Sequence, residues 1–197
     1  MRTSSAAARS IPLLLTALRA ALAPVVALLA LFHPSRPAFG ACLIAAFLTD
    51  VFDGIIARRL EIATPNLRRF DSLADSLFYA AATFAAWRLY PWAITERAVP
   101  LVLLAILEVS RYAFDAVKFR REASYHMWSS KLWGLALFAG FFSLLALGSD
   151  DGWLTAAVYT GVLADLEGLS ISMVLREWRS DVPTLLHALR LRRSGRE

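Results

Sequence analysis

The chain has a single cysteine, Cys42, so it can form no disulfide framework within itself and no cysteine-based zinc site. Cys42 lies in an apolar run, where a lone cysteine serves as a small apolar filler. Charge is also scarce. Charged residues make up 19% of the 197 positions, below the quarter or so usual for a soluble domain. No segment alternates apolar and polar residues with period two, which argues against strands and a β-barrel. Internal repeats and low-complexity linkers are missing too, so nothing in the pattern divides the chain, and residues 1–197 read as one domain.

What is abundant is apolar side chain, at 58% of the sequence. Six apolar segments stand out, at 11–32, 38–58, 72–93, 98–118, 127–147 and 153–175. Each is close to the roughly 20 residues that carry a helix across the hydrocarbon core. Short breaks separate them, at His33 to Pro37, Pro91 to Arg97 and Gly148 to Gly152. The first segment follows Arg2 and Arg9, as a secretory signal would. It is too long for a signal's apolar core and contains Arg19, so a retained helix is expected. The fold class expected is therefore an all-α integral membrane protein, a six-transmembrane-helix bundle.

The net charge of +5 could suggest nucleic acid, but its placement points elsewhere. Arg2 and Arg9 precede the first segment. Arg58, Arg59, Arg68 and Arg69 lie between the second and third. Lys118, Arg120 and Arg121 lie between the fourth and fifth, and Arg176, Arg179, Arg190, Arg192, Arg193 and Arg196 follow the sixth. The opposite loops carry only Arg36, Arg88 and Arg97. By the positive-inside rule both termini are cytoplasmic, with the basic loops facing anionic lipid heads and no nucleic acid. In the tail, about 181–197, Val182, Leu185, Leu186 and Leu189 fall at helical spacing beside Arg190, Arg192 and Arg193. This pattern predicts an amphipathic interfacial helix on the cytoplasmic leaflet. Trp92, Trp128, Trp153 and Trp178 lie near segment ends, as interfacial anchors do.

Ionisable groups inside apolar segments are costly and default to a functional role. The second segment ends with Asp50 and Asp53, which share a helix face with Gly54 and Ala57. The third opens with Asp71 and Asp75, one turn apart. A short turn joins the two helices, so four carboxylates can converge at the cytoplasmic edge. They repel one another unless a cation neutralises them, and oxygen-only ligands suit hard ions such as Mg²⁺, Mn²⁺ or Ca²⁺. Gly54 and Ala57 leave room beside the acids for a large ligand, and Arg58 is placed to meet a phosphate. The alternative is a solvated network in which the acids pair with Arg58, Arg59, Arg68 and Arg69.

The order Asp50-x2-Asp53-Gly54-x2-Ala57-Arg58-x8-Leu67-x3-Asp71-x3-Asp75 resembles the motif of the CDP-alcohol phosphotransferase (CDP-alcohol phosphatidyltransferase) family, D-x2-D-G-x2-A-R-x8-G-x3-D-x3-D. Seven of the eight fixed positions match, and Leu67 replaces the second glycine. Pro12, Leu15, Thr16, Arg19 and Pro24 follow the style of the family's first helix, P-N-x-L-T-x-x-R and a later proline, with Leu13 in place of asparagine. The resemblance implies a phospholipid-biosynthetic transferase. It would move a phosphatidyl or related group from a CDP-linked lipid, usually CDP-diacylglycerol, to an alcohol, with release of CMP. It implies two divalent cations, Mg²⁺ or Mn²⁺, held by Asp50, Asp53, Asp71 and Asp75. Asp75 would serve also as general base, and Asp50, Asp53, Gly54, Ala57 and Arg58 would meet the CDP donor. A homodimer in the bacterial inner membrane, with its site facing the cytoplasm, is expected.

The fourth segment carries Glu108, Arg111, Asp115 and Lys118 on one face, and the fifth opens with His126 to Lys131. Arg111, Lys118 and Lys131 are candidate cations for an anionic acceptor such as a polyol phosphate. The plainer alternative is that these charges pair across helices. His126 reads as a polar cap at the membrane edge, while Asp165 and Glu167 in the sixth segment either pair with cations of this region or face a subunit contact. Two other functions compete with the transferase: a catalytically silent membrane scaffold, and a cation transporter using the same aspartates. Neither accounts for Gly54, Ala57 and Arg58 beside intact acids.

Overall fold

A computed structural model describes residues 6–60, 64–120, 125, 127–179 and 181–194. Arg2, Arg121, His126 and Arg196 lie outside the described residues. The described chain is helical throughout, without strands. Its elements are α1 (Ala6–Phe32), α2 (Arg36–Arg59), α3 (Pro65–Leu89), a short α4 (Pro91–Thr95), α5 (Ala98–Phe119), α6 (Trp128–Phe141), α7 (Trp153–Val174) and α8 (Leu185–Ser194). A π-helical segment, Phe142–Leu147, continues α6. Among the described residues, four helices are long and apolar enough to cross a membrane: Ser10–Phe32, Arg36–Arg59, Trp128–Leu147 and Trp153–Val174. The other two expected segments are also long helices, α3 and α5, but both carry several charged residues.

Local chemistry sets the helix ends. Pro37 opens α2 and Pro65 opens α3, at first-turn positions where a missing N–H is not needed. Thr64 caps α3, its hydroxyl accepting from the Leu67 amide at 3.2 Å. Arg58 and Arg59 close α2, where cations complement the negative end of the helix dipole. Gly148 ends the π-helical segment at φ 74°. The third expected segment began at residue 72, whereas α3 begins at Pro65. The cap, not the apolar run, fixes the start, so Asp71 and Asp75 lie well inside the helix.

The chain forms two compact units. The first comprises Met1–Ile94 and Phe141–Ser149. In it α1 packs on both α2 and α3, and the π-helical segment packs on α2. Much of its core is alanine: Ala23 and Ala30 on α1, Ala46 on α2, and Ala74, Ala82, Ala85 and Ala86 on α3. Small side chains let helix backbones approach closely, which drives helix association where lipid replaces water. Gly40 extends this device, since a Cβ there would stand 3.3 Å from that of Ala146.

The second unit comprises Thr95–Gly140 and Asp150–Glu197. Here α5 packs on α7, and α8 packs on the end of α7. Gly161 admits the Trp133 indole so closely that a Cβ would lie 2.7 Å from its nitrogen. The tail closes over a cluster of Tyr125, Met127, Ile171, Leu175, Val182 and Ala188. Of the expected amphipathic tail, Val182 and Ala188 are buried against the protein, while Leu186, Leu189, Arg190, Arg192 and Arg193 are exposed. Large apolar side chains are exposed on the outer faces of both units, among them Leu14, Phe32, Val99, Val117 and Leu163, as a lipid-facing surface requires.

Candidate active site

The site is built in the first unit where α1, α2 and α3 meet. The last three turns of α2 supply Asp50 and Asp53, and the second and third turns of α3 supply Asp71 and Asp75. Carboxylate oxygens of Asp50, Asp53 and Asp71 lie within 4.8 Å of one another. Asp53 is buried, whereas Asp50, Asp71 and Asp75 are each a third to a half exposed. One carboxylate is therefore anchored in the helix packing and three are open to a ligand.

The cation that meets all four acids is Arg19 of α1. Its Nη1 lies 3.0 Å from Asp50 Oδ1 and pairs with Asp75 Oδ1, while its Nη2 lies 3.1 Å from Asp71 Oδ1 and pairs with Asp53 Oδ2. The Arg19 side chain is only 1% exposed. Thr16, one turn earlier, is buried as well. Its Oγ1 lies 3.0 Å from the Pro12 carbonyl and 3.2 Å from Asp53 Oδ2, so a single hydroxyl proton is shared between them. On α2, Gly54 makes room for Arg58: a Cβ at Gly54 would lie 3.2 Å from the Arg58 guanidinium. Ala57 is buried on the same face. Leu67, where the motif has its second glycine, is helical, so its backbone does not require glycine's freedom.

The donor set suits a hard divalent cation. Opposed ligands of one Mg²⁺ stand about 4 Å apart, close to the spacing of the three carboxylates. Asp71 Oδ1 is buried and accepts no hydrogen bond among the described residues, although Arg19 stands near it. Four carboxylates against one guanidinium leave a formal negative excess that added cations would relieve.

The three basic residues expected to meet an acceptor lie in the second unit, each with its own partner. Arg111 Nε stands 3.1 Å from Asp165 Oδ1, and Gly168 gives passage to the Arg111 stem. Lys118 Nζ donates to the carbonyls of Ser172 at 2.7 Å, Met173 at 3.2 Å and Leu175 at 2.7 Å, closing the C-terminal end of α7. Lys131 is exposed and lies over the Trp128 ring at 4.4 Å. Asp165 thus pairs with Arg111, and Glu167 accepts from the Leu185 amide at 3.2 Å, capping α8.

Residue composition and spacing brought the four aspartates together correctly, but left Arg19 only as a match to the style of a first helix. The signal was present, since an arginine inside an apolar segment requires a partner. The family model for CDP-alcohol phosphatidyltransferase matches residues 9–167, which include the acid motif and Arg19. The chain belongs to this family of membrane phosphotransferases, which transfer a phosphate-linked group from a CDP-alcohol. That membership weighs against a cation transporter built on the same aspartates. No curated protein and no solved structure matches the chain.

Proposed function

We propose that this protein transfers a phosphatidyl group from CDP-diacylglycerol to a small alcohol and releases CMP. The observation that carries the proposal is the convergence of all four motif aspartates on one point between α1, α2 and α3. Asp50, Asp53, Asp71 and Asp75 would hold two divalent cations, Mg²⁺ or Mn²⁺. When bound, such ions neutralise charge on the pyrophosphate and on the leaving oxygen.

The chain's own residues do the rest. Gly54 and Ala57 keep the α2 face low, so that the cytidine diphosphate can lie against it, and Arg58 meets its phosphate. Asp75, partly exposed, takes the proton of the acceptor hydroxyl as its oxygen attacks the phosphorus bearing the lipid. One oxygen–phosphorus bond forms, the bond to CMP breaks, and the proton rests on Asp75. A donor with two acyl chains explains why the acids lie within long, largely apolar helices. Arg111, Lys118 and Lys131 would meet an anionic acceptor, with a polyol phosphate the favoured class, Arg111 and Lys118 by exchanging it for the partners they hold here. In this reading residues 1–197 act as one catalytic domain with six membrane helices, both ends in the cytoplasm, working as a homodimer in a bacterial inner membrane.

The test uses purified protein in detergent with labelled CDP-diacylglycerol and Mg²⁺ or Mn²⁺. Glycerol 3-phosphate, inositol phosphate, serine and choline are offered in turn, and CMP and lipid product are measured. Turnover should require the cation and be fastest with a phosphorylated acceptor. Full turnover in chelator would remove the metal centre, and no CMP release with any acceptor would remove the transferase.

A further inference from the structure

Arg19 occupies a position that the function above leaves unexplained. A guanidinium that is 1% exposed carries ion pairs to four separate carboxylates, two on each terminal nitrogen. Its Nε is buried and makes no hydrogen bond among the described residues. Among the described residues its polar contacts are therefore made through its two terminal nitrogens, to the acids. Those carboxylates are the groups that would hold metal. A divalent cation entering among them meets a fixed, buried positive charge a few ångströms away. It also seeks lone pairs that the guanidinium already uses.

We infer that Arg19 is an internal counter-cation, which holds the four aspartates together while the site is free of metal and competes with metal for them. Loading then becomes an exchange: the guanidinium gives up carboxylate oxygens as divalent cations take them. The released charge stays beside the bound ions, on the first helix, where an anionic ligand could meet it. The inference rests on the proposed metal centre and adds a sign to it. Arg19 opposes metal affinity, whereas a residue that merely preorganises the ligands would raise it.

The experiment compares the full-length protein with its Arg19→Met variant in detergent micelles. Mn²⁺ binding is followed by electron paramagnetic resonance of the free ion, and thermal unfolding is recorded in chelator and in saturating Mn²⁺. Arg19→Met should bind Mn²⁺ more tightly by about tenfold or more, since one repelling charge is gone at close range. Its unfolding temperature should fall in chelator, where four carboxylates are left uncompensated, and recover in Mn²⁺. If the unaltered protein binds Mn²⁺ and Arg19→Met binds it equally or more weakly, the competition is refuted while the metal centre stands. If neither protein binds Mn²⁺, both the metal centre and the exchange fall. Should Arg19→Met not fold, Arg19→Gln decides: its amide can still donate to the acids but carries no charge, so Mn²⁺ should again bind more tightly, and unchanged or weaker binding refutes the inference.

Discussion

Single residues divide the labour at the acid cluster unevenly. Asp71 contributes charge and a buried oxygen that accepts no hydrogen bond among the described residues, so Asp71→Asn should abolish cation-dependent turnover. Asp75→Asn should abolish turnover as well, yet retain donor binding through the remaining acids, which equilibrium binding of labelled CDP-diacylglycerol would check. The basic residues call for a subtler measurement. Arg111→Ala should raise the acceptor's KM roughly tenfold with little change for the donor, as expected when a charge-assisted contact to phosphate is lost. The same change strands Asp165, which is buried beside Arg111. The double variant Arg111→Ala, Asp165→Asn separates the two effects. If it restores the acceptor's KM, Arg111 is only a structural partner of Asp165. The aspartates were legible in the sequence because their spacing within two helices already fixes a common face. The partners of Arg19 were not, because its pairs span 31 to 56 positions along the chain and exist only once α1 packs on α2 and α3.

At the scale of elements, most of the helices were legible in the apolar runs, since run length sets helix length in lipid. The boundaries that moved were those decided by caps. Thr64 and Pro65 start α3 earlier than its apolar residues suggest, and Pro91 opens the short α4 within an expected break. Helix α8 shows a different limit. The amphipathic pattern of the tail predicted an interfacial helix, but could not say that Val182, ahead of α8, and Ala188 within it pack on the protein. Glu167 holds the start of that helix by accepting from the Leu185 amide. Glu167→Ala should remove about 1 kcal/mol from this end. Hydrogen exchange at the first α8 amides should then quicken severalfold, while amides in α2 and α3 stay unchanged. Equal quickening in all three helices would show that the loss is global.

For the whole molecule, the sharpest prediction concerns topology. In a Cys42→Ala background, single cysteines at Ser4 and Ser194 should react with an impermeant thiol reagent from the same side of sealed vesicles. Reaction from opposite sides would rule out six crossings with both ends in the cytoplasm. A second whole-molecule consequence follows from the alanine-lined packing of α3. Ala82, Ala85 and Ala86 are each 0% exposed, with little volume left to lose, and any larger side chain there must fit inside the packing. In a soluble domain, truncating large buried side chains does the most harm. Here enlargement should be the common lesion, at roughly 1–3 kcal/mol for each forced methyl or larger group. A library scored for folded protein should tolerate almost any apolar residue at outward Leu77 or Leu73 and reject valine or leucine at Ala82 and Ala86. Over evolutionary time, such a helix drifts freely along its greasy side and stays frozen along its small one, so its record of substitution would trace the packing seam without any coordinates.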